Sequence, residues 1–130
     1  MPKPLLLDIV LYFKAHNAVL GDGIDCFRDY APEKPDAAVV LYEYQGAPKV
    51  LHEDTTHRSI QVTVRDIDPD TARKRALELY NLLDKQNLIV QFTPERWGEV
   101  SLRQTPFRIK TDANNRAIYG FNIGVTTTRY

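Results

Sequence analysis

A chain of 130 residues fits one domain and leaves no room for two. Hydrophobic residues at 43% and charged ones at 26% are ordinary for a globular fold, which excludes disorder as a description of the whole. Seventeen basic residues offset seventeen acidic ones, so the basic excess of a sequence-independent nucleic-acid binder is missing, and weak self-repulsion favours self-association.

Apolar residues Leu5, Leu6, Ile9, Val10 and Phe13 recur at helical spacing and predict a first helix from Leu5 to His16. Pro4 suits its start, since its missing N–H would have had no intrahelical partner, and Asn17 and Gly21 suit its end. One face of this helix should pack on a sheet, with Asp8 and Lys14 left toward water. The apolar run is too short to span a bilayer and lacks the layout of a signal peptide, so a cytoplasmic product that is neither exported nor inserted in a membrane is expected. The single cysteine, Cys26, is compatible with a reducing compartment.

Gly21 to Asp36 reads as an irregular connection that packs down through Cys26, Phe27 and Tyr30. Ala37 to Tyr44 is the next strand, with Val39 and Leu41 on one face and Val40, Tyr42 and Tyr44 on the other. Gln45 to Arg58, containing His52 and His57, is expected to be a long exposed loop, and loops of this length are often functional. A second strand, Ser59 to Arg65, alternates cleanly: Ile60, Val62 and Val64 point one way. Pairing with its predecessor as an antiparallel hairpin makes the loop a candidate contact arm.

Asp68-Pro69-Asp70 is the clearest helix start, with Asp68 as cap and Pro69 at the first helical position. The helix should run to about Gln86, burying Ala72, Ala76, Leu79, Tyr80 and Leu83. Leu88 to Phe92 and Glu99 to Gln104 follow as strands around a turn from Thr93 to Gly98. The closing strands are Phe107 to Thr111 and Ala117 to Thr128, joined at Asp112–Asn115. In the last one, Tyr119, Phe121, Ile123 and Val125 share a face. Ile118, Gly120, Asn122, Gly124 and Thr126 share the other, and glycines inside a strand often mark close approach by another backbone or chain.

Little in the sequence points to catalysis. There is no nucleophile elbow, phosphate-cradling loop or dinucleotide fingerprint. His52 and His57 without a cysteine or carboxylate partner make a poor zinc site. Asp66, Asp68 and Asp70 are spaced like a calcium loop, but Thr71 and Leu77 stand where that loop needs glycine and glutamate. Cys26 reads as a buried inert thiol. Trp97 beside Arg96 and Arg103 is read as a strand-edge aromatic rather than a base-stacking platform. No catalytic residue, cofactor or metal is expected.

Element order and several phrases resemble the tail-terminator or minor capsid proteins of long-tailed bacteriophages. The phrases are the helix LLLDIVLYF, the strand AAVVLYEYQG after Pro35-Asp36, the unit SIQVTVRDIDPDTARKRALELYNLL, and the closing strand RAIYGFNIGVTT. The resemblance covers most of the chain and rests on packing and capping residues, not on a catalytic signature. It implies a single α+β domain, a mixed, mainly antiparallel sheet with two helices packed on one face. It also implies a virion protein at the tail–neck junction: a six-membered homomeric ring on the tail tube, ending its polymerisation and docking to the head-completion or stopper protein. Such a ring needs neither a membrane nor sequence-specific nucleic acid. Arg65 matches a basic position of that family; it is expected either to pair with Asp66, Asp68 or Asp70 or to bridge subunits. Tyr42, Tyr44, His52, His57, Arg65, Gly120, Asn122 and Gly124 are the candidate interface residues. Another neck component, a small enzyme or ligand-binding domain, and a nucleic-acid binder are the alternatives.

Overall fold

The structure, a computed structural model, describes residues 5–44, 55–84, 89–94 and 96–128. The first helix, α1, is Leu5–Ala15. It stops in a double cap: Asn17 takes the left-handed conformation (φ 59°), its N–H donates to Lys14 O, and the Ala18 N–H donates to Phe13 O. The expected helix start at Pro4 lies outside the described residues. Leu5, Leu6, Ile9, Val10 and Phe13 are buried as their spacing requires. Asp8, expected in water, is only 3% exposed. Its carboxylate meets the Arg96 guanidinium at 3.2 Å, a partner too distant in sequence for helical periodicity to disclose.

The strands are β1 (Cys26–Arg28), β2 (Ala38–Tyr44), β3 (Thr55–Asp66), β4 (Ile89–Thr93), β5 (Arg96–Leu102), β6 (Phe107–Thr111) and β7 (Ala117–Thr128), with helix α2 (Pro69–Leu83) after β3. They form one mixed, mostly antiparallel sheet in the order β1-β2-β3-β7-β5-β4, with β6 also paired to β7. Among the described strands, only β1 and β2 pair in parallel. The hairpin of β2 and β3 is antiparallel, from Ala38 opposite Arg65 to Tyr44 opposite Ser59.

Two strand limits differ from expectation for one reason. β3 begins at Thr55 because its first residues ladder onto the far end of β7, from Thr55 opposite Thr128 to Arg58 opposite Val125. That pairing makes strand of a polar stretch whose own composition reads as loop. His57 is thus a strand residue, and the rest of the expected loop, 45–54, lies outside the described residues. β5 likewise begins at Arg96 rather than Glu99, in a hairpin with β4.

β5 and β6 share one side of β7. Leu102 stands opposite Ile123 and Phe107 opposite Gly120, so five steps on one strand match three on the other. They are one interrupted strand, broken where Pro106 has no N–H to give. A second register shift, at Ile109, is a bulge.

Helix α2 starts as the sequence dictates. Asp68 caps it in extended geometry, accepting from the Asp70 N–H at 3.2 Å and the Thr71 hydroxyl at 2.7 Å. Ala72, Ala76, Leu79 and Leu83 are buried, and Tyr80 sets its ring edge-on to Phe121 at 5.4 Å. The helix ends at Leu83 with Asp84 as its C-cap, short of the expected end near Gln86. One hydrophobic cluster joins residues of both helices to Val39, Leu41, Ile60, Val62, Val64, Phe121, Ile123 and Val125. Each fully buried side chain of this size contributes about 1.5–3 kcal/mol. No helix among the described residues is long and apolar enough to cross a membrane.

Candidate interface on the outer face of the sheet

Alternation sends the positions between those core residues to the other side of the sheet, here the outer face. Its register arranges them in rows. Tyr42 lies opposite Gln61, and Gln61 opposite Asn122. Tyr44, Ser59, Gly124 and Ser101 form a second row; His57, Thr126 and Glu99 a third. Thr63, Gly120 and Phe107 form a fourth, and Arg65, Ile118 and Lys110 a fifth. Every candidate residue predicted from the sequence therefore lies on the same side of the sheet except His52, which is outside the described residues.

Val40 and Tyr42 of β2, Ile109 and Lys110 of β6 and Ala31 of the loop before β2 line a hollow of about 340 Å³ on the outer face. Ile109, at the bulge, lies over Gly120, which leaves it room. A Cβ on Gly120 would sit 2.5 Å from Val62 O and 2.9 Å from Ile109 Cδ1. The close neighbour that this glycine admits is its own chain.

Gly124 follows the same logic with a different neighbour. The Arg103 guanidinium lies across it, 3.1 Å from where a Cβ would stand. Arg103 Nη2 donates to Ser59 Oγ and Nη1 to Tyr44 Oη, both at 3.1 Å. Arg103 is thus the organising cation of the second row, and sequence reasoning missed it. The only advance signal is a glycine in a paired strand, which leaves space for a long side chain from the neighbouring strand.

Arg65 pairs with none of Asp66, Asp68 and Asp70. It is 4% exposed and donates to backbone oxygens, Nη2 to Pro35 O at 2.5 Å and Nε to Asp36 O at 3.3 Å. Asp66 instead accepts from the Asp68 N–H, Asp68 caps α2, and Asp70 pairs with Arg73. Alternation explains this: Arg65 points to the outer face, and the aspartates belong to the turn into α2. Burial, and then the nearby positive charge of Arg116, push the Arg65 pKa down. Arg116 fastens the same loop, through Glu33 O and Asp36, and also pairs with Asp112 at 2.8 Å. Burial works against the Asp112 carboxylate, but hydrogen bonds from Arg116 and the Asn114 N–H hold it below its ordinary range.

His57 Nδ1 lies 2.8 Å from Thr126 Oγ1. Tyr42 is half-buried, and burial beside the hollow raises its phenol above the ordinary value. Trp97 is 51% exposed on this side of β5, while its neighbour Arg96 is buried on the other, so the two form no joint platform. Cys26 is buried on β1, and its thiol is pushed up to about 12, by burial first and then by the carboxylates of Asp25 and Asp22. Among the described residues, no three of His, Cys, Asp and Glu gather to hold a metal ion.

What the outer face offers is a surface of hydroxyl, amide and aromatic groups. No curated protein matches the chain. A family model does: the one described as bacteriophage tail terminator protein matches residues 15–129.

Proposed function

Because the chain belongs to the bacteriophage tail terminator family, we propose that it is the subunit of a six-membered ring on the head-proximal end of the tail tube. The ring stops tube polymerisation there and presents a docking face to the head-completion complex. Family membership itself makes the chain a structural component of the phage tail, and so of the virion.

The observation that carries this reading is the family match, which runs through α2 and every strand. The arrangement of the sheet supports it. Residues of both helices share one hydrophobic cluster with alternate residues of β2, β3 and β7, and the outer face with its hollow is left for a neighbour. Its buried polar groups are engaged by their own chain: Arg65 with loop carbonyls, Thr63 with Val40 O. It therefore offers a partner shape and hydrogen bonding, through Tyr42, Tyr44, His57, Asn122 and the Arg103 that crosses Gly124. Arg65 and Gly120 serve the subunit's own fold. Tyrosine and arginine are also the residue types enriched in protein interfaces.

Native mass spectrometry of concentrated protein, alone and with isolated tail tubes, tests the reading. A six-subunit species, in solution or on the tubes, is expected. A monomer under both conditions refutes the ring. Association with filled heads and not with tails identifies a head-completion or stopper protein instead.

A further inference from the structure

We propose that the two opposite ends of the sheet form the seam between neighbouring copies: Ile89 and Trp97 at the β4–β5 end of one copy pack against Leu20, Ile24 and Tyr30 beside β1 of the next. This placement rests on the ring reading above. A closed ring needs a head-to-tail contact made by two different patches on every subunit.

Besides Ile67 and Leu77, exposed apolar side chains lie near both ends of the sheet. Leu20, Ile24 and Tyr30 are 68%, 58% and 60% exposed. They flank β1: the Leu20 N–H donates to Asp25 Oδ1, the Ile24 N–H to Gly21 O, and Tyr30 stacks edge-on to Phe27 at 5.9 Å. At the other end, Ile89 is half exposed, as is Trp97. Gln91 pairs with Trp97 and Ile89 with Glu99, so Ile89 and Trp97 are diagonal neighbours on one side of the hairpin.

Charge supports an apolar contact between copies. β4 reads IVQFT and carries no charge at all. β6, in contrast, carries Arg108 and Lys110, the kind of charges that discourage pairing at an open edge. Beside β1, two pairs of charges already neutralise each other, Asp22 with Arg28 at 3.0 Å and Asp25 with Arg75 at 2.9 Å.

Strand direction also fits. The pairings make β1 and β4 run the same way across the sheet. Rotation about an axis along the strands therefore brings β4 of one copy beside β1 of the next, in parallel. The β1 end is partly closed by its own chain, since the Gly23 N–H donates to Cys26 O. The seam is accordingly made by side chains rather than by a continuous backbone ladder.

Two variants test it, one with Ile89→Lys and Trp97→Ala, the other with Ile24→Lys and Tyr30→Ala. All four positions are at least half exposed, and an unchanged circular dichroism spectrum checks the fold. Each variant alone is expected to lose the ring and remain monomeric. Mixed in equal amounts, they are expected to give a dimer and nothing larger, because the mixture holds one intact contact. A double variant, Ile24→Cys with Ile89→Cys, is expected to crosslink copies on oxidation, with buried Cys26 taking no part. Rings that survive either variant, or a mixture that stays monomeric without crosslinking of the cysteine variant, overturn this seam while leaving the ring standing. Wild-type protein that stays monomeric even with tail tubes present refutes the ring itself.

Discussion

Replacing Asp8 with alanine tests how α1 is held to the sheet. Asp8 and Arg96 lie 3.2 Å apart with side chains 5% and 4% exposed, and Arg96 Nη1 has no hydrogen-bond partner among the described residues. Burial, partly offset by Asp8, pushes the Arg96 pKa down, and the positive charge of Arg58 pushes it the same way. Removing Asp8 leaves that guanidinium buried beside a like charge, a change that costs about 3–5 kcal/mol in comparable buried pairs. Stability of a small domain is about 5–15 kcal/mol in all. Urea unfolding at a slope of about 2 kcal/mol per molar would move its midpoint down by about 1.5–2.5 M. The double replacement Asp8→Leu with Arg96→Met should recover most of the loss, since apolar substitutes for buried pairs are often neutral or better. A cost for Asp8→Ala below about 1 kcal/mol, the range of an exposed pair, would refute the reasoning. It would return Asp8 to the solvated position that helical periodicity alone suggests.

Gly120→Ala should destabilise by at least about 1–3 kcal/mol, the usual penalty of overpacking, because the new methyl meets a backbone oxygen that cannot rotate away; an unchanged melting temperature would contradict the close packing seen at that site. Cys26 should resist thiol reagents in the folded protein and react fully in denaturant. Its folded pKa is raised from 9.0 to about 12, so the stability it contributes is complete below pH 9 and is lost as pH climbs toward 12. Rapid labelling of native protein at neutral pH would show the thiol to be accessible. Asp68→Ala should lower the melting temperature through α2, and Asp68→Asn should lower it less, since asparagine also caps. The Thr71 hydroxyl, and then the Asp70 N–H, hold the Asp68 carboxyl below its ordinary 3.8. Its stabilisation is therefore present above that value and lost as pH falls through the depressed one; melting temperatures of wild type and Asp68→Ala that stay equally far apart down to the lowest pH would contradict it.

What the sequence discloses follows from how local each cause is. The cap at Asp68 and the alternation of β2, β3 and β7 are set by near neighbours, so the elements and their two faces can be read without coordinates. So can most of the outer face, because a period of two assigns Tyr42, Tyr44, Asn122 and Gly124 to one side. Distant partners hide the rest. Thr55–Arg58 become strand only by pairing with the end of β7, and Cys26–Arg28 only by lying beside β2. Asp8 is buried because Arg96 comes to it from β5. The glycines of β7 correctly mark close approach, but coordinates alone identify the neighbours as Val62, Ile109 and Arg103 of the same chain.

Tail length is the most direct measure of the proposed role. Tails assembled from purified tube protein with this chain present should be uniform in length and carry an annulus at one end in electron micrographs; without it they should keep growing. Tails of the same uniform length with and without the protein, and no annulus at either end, would contradict the account.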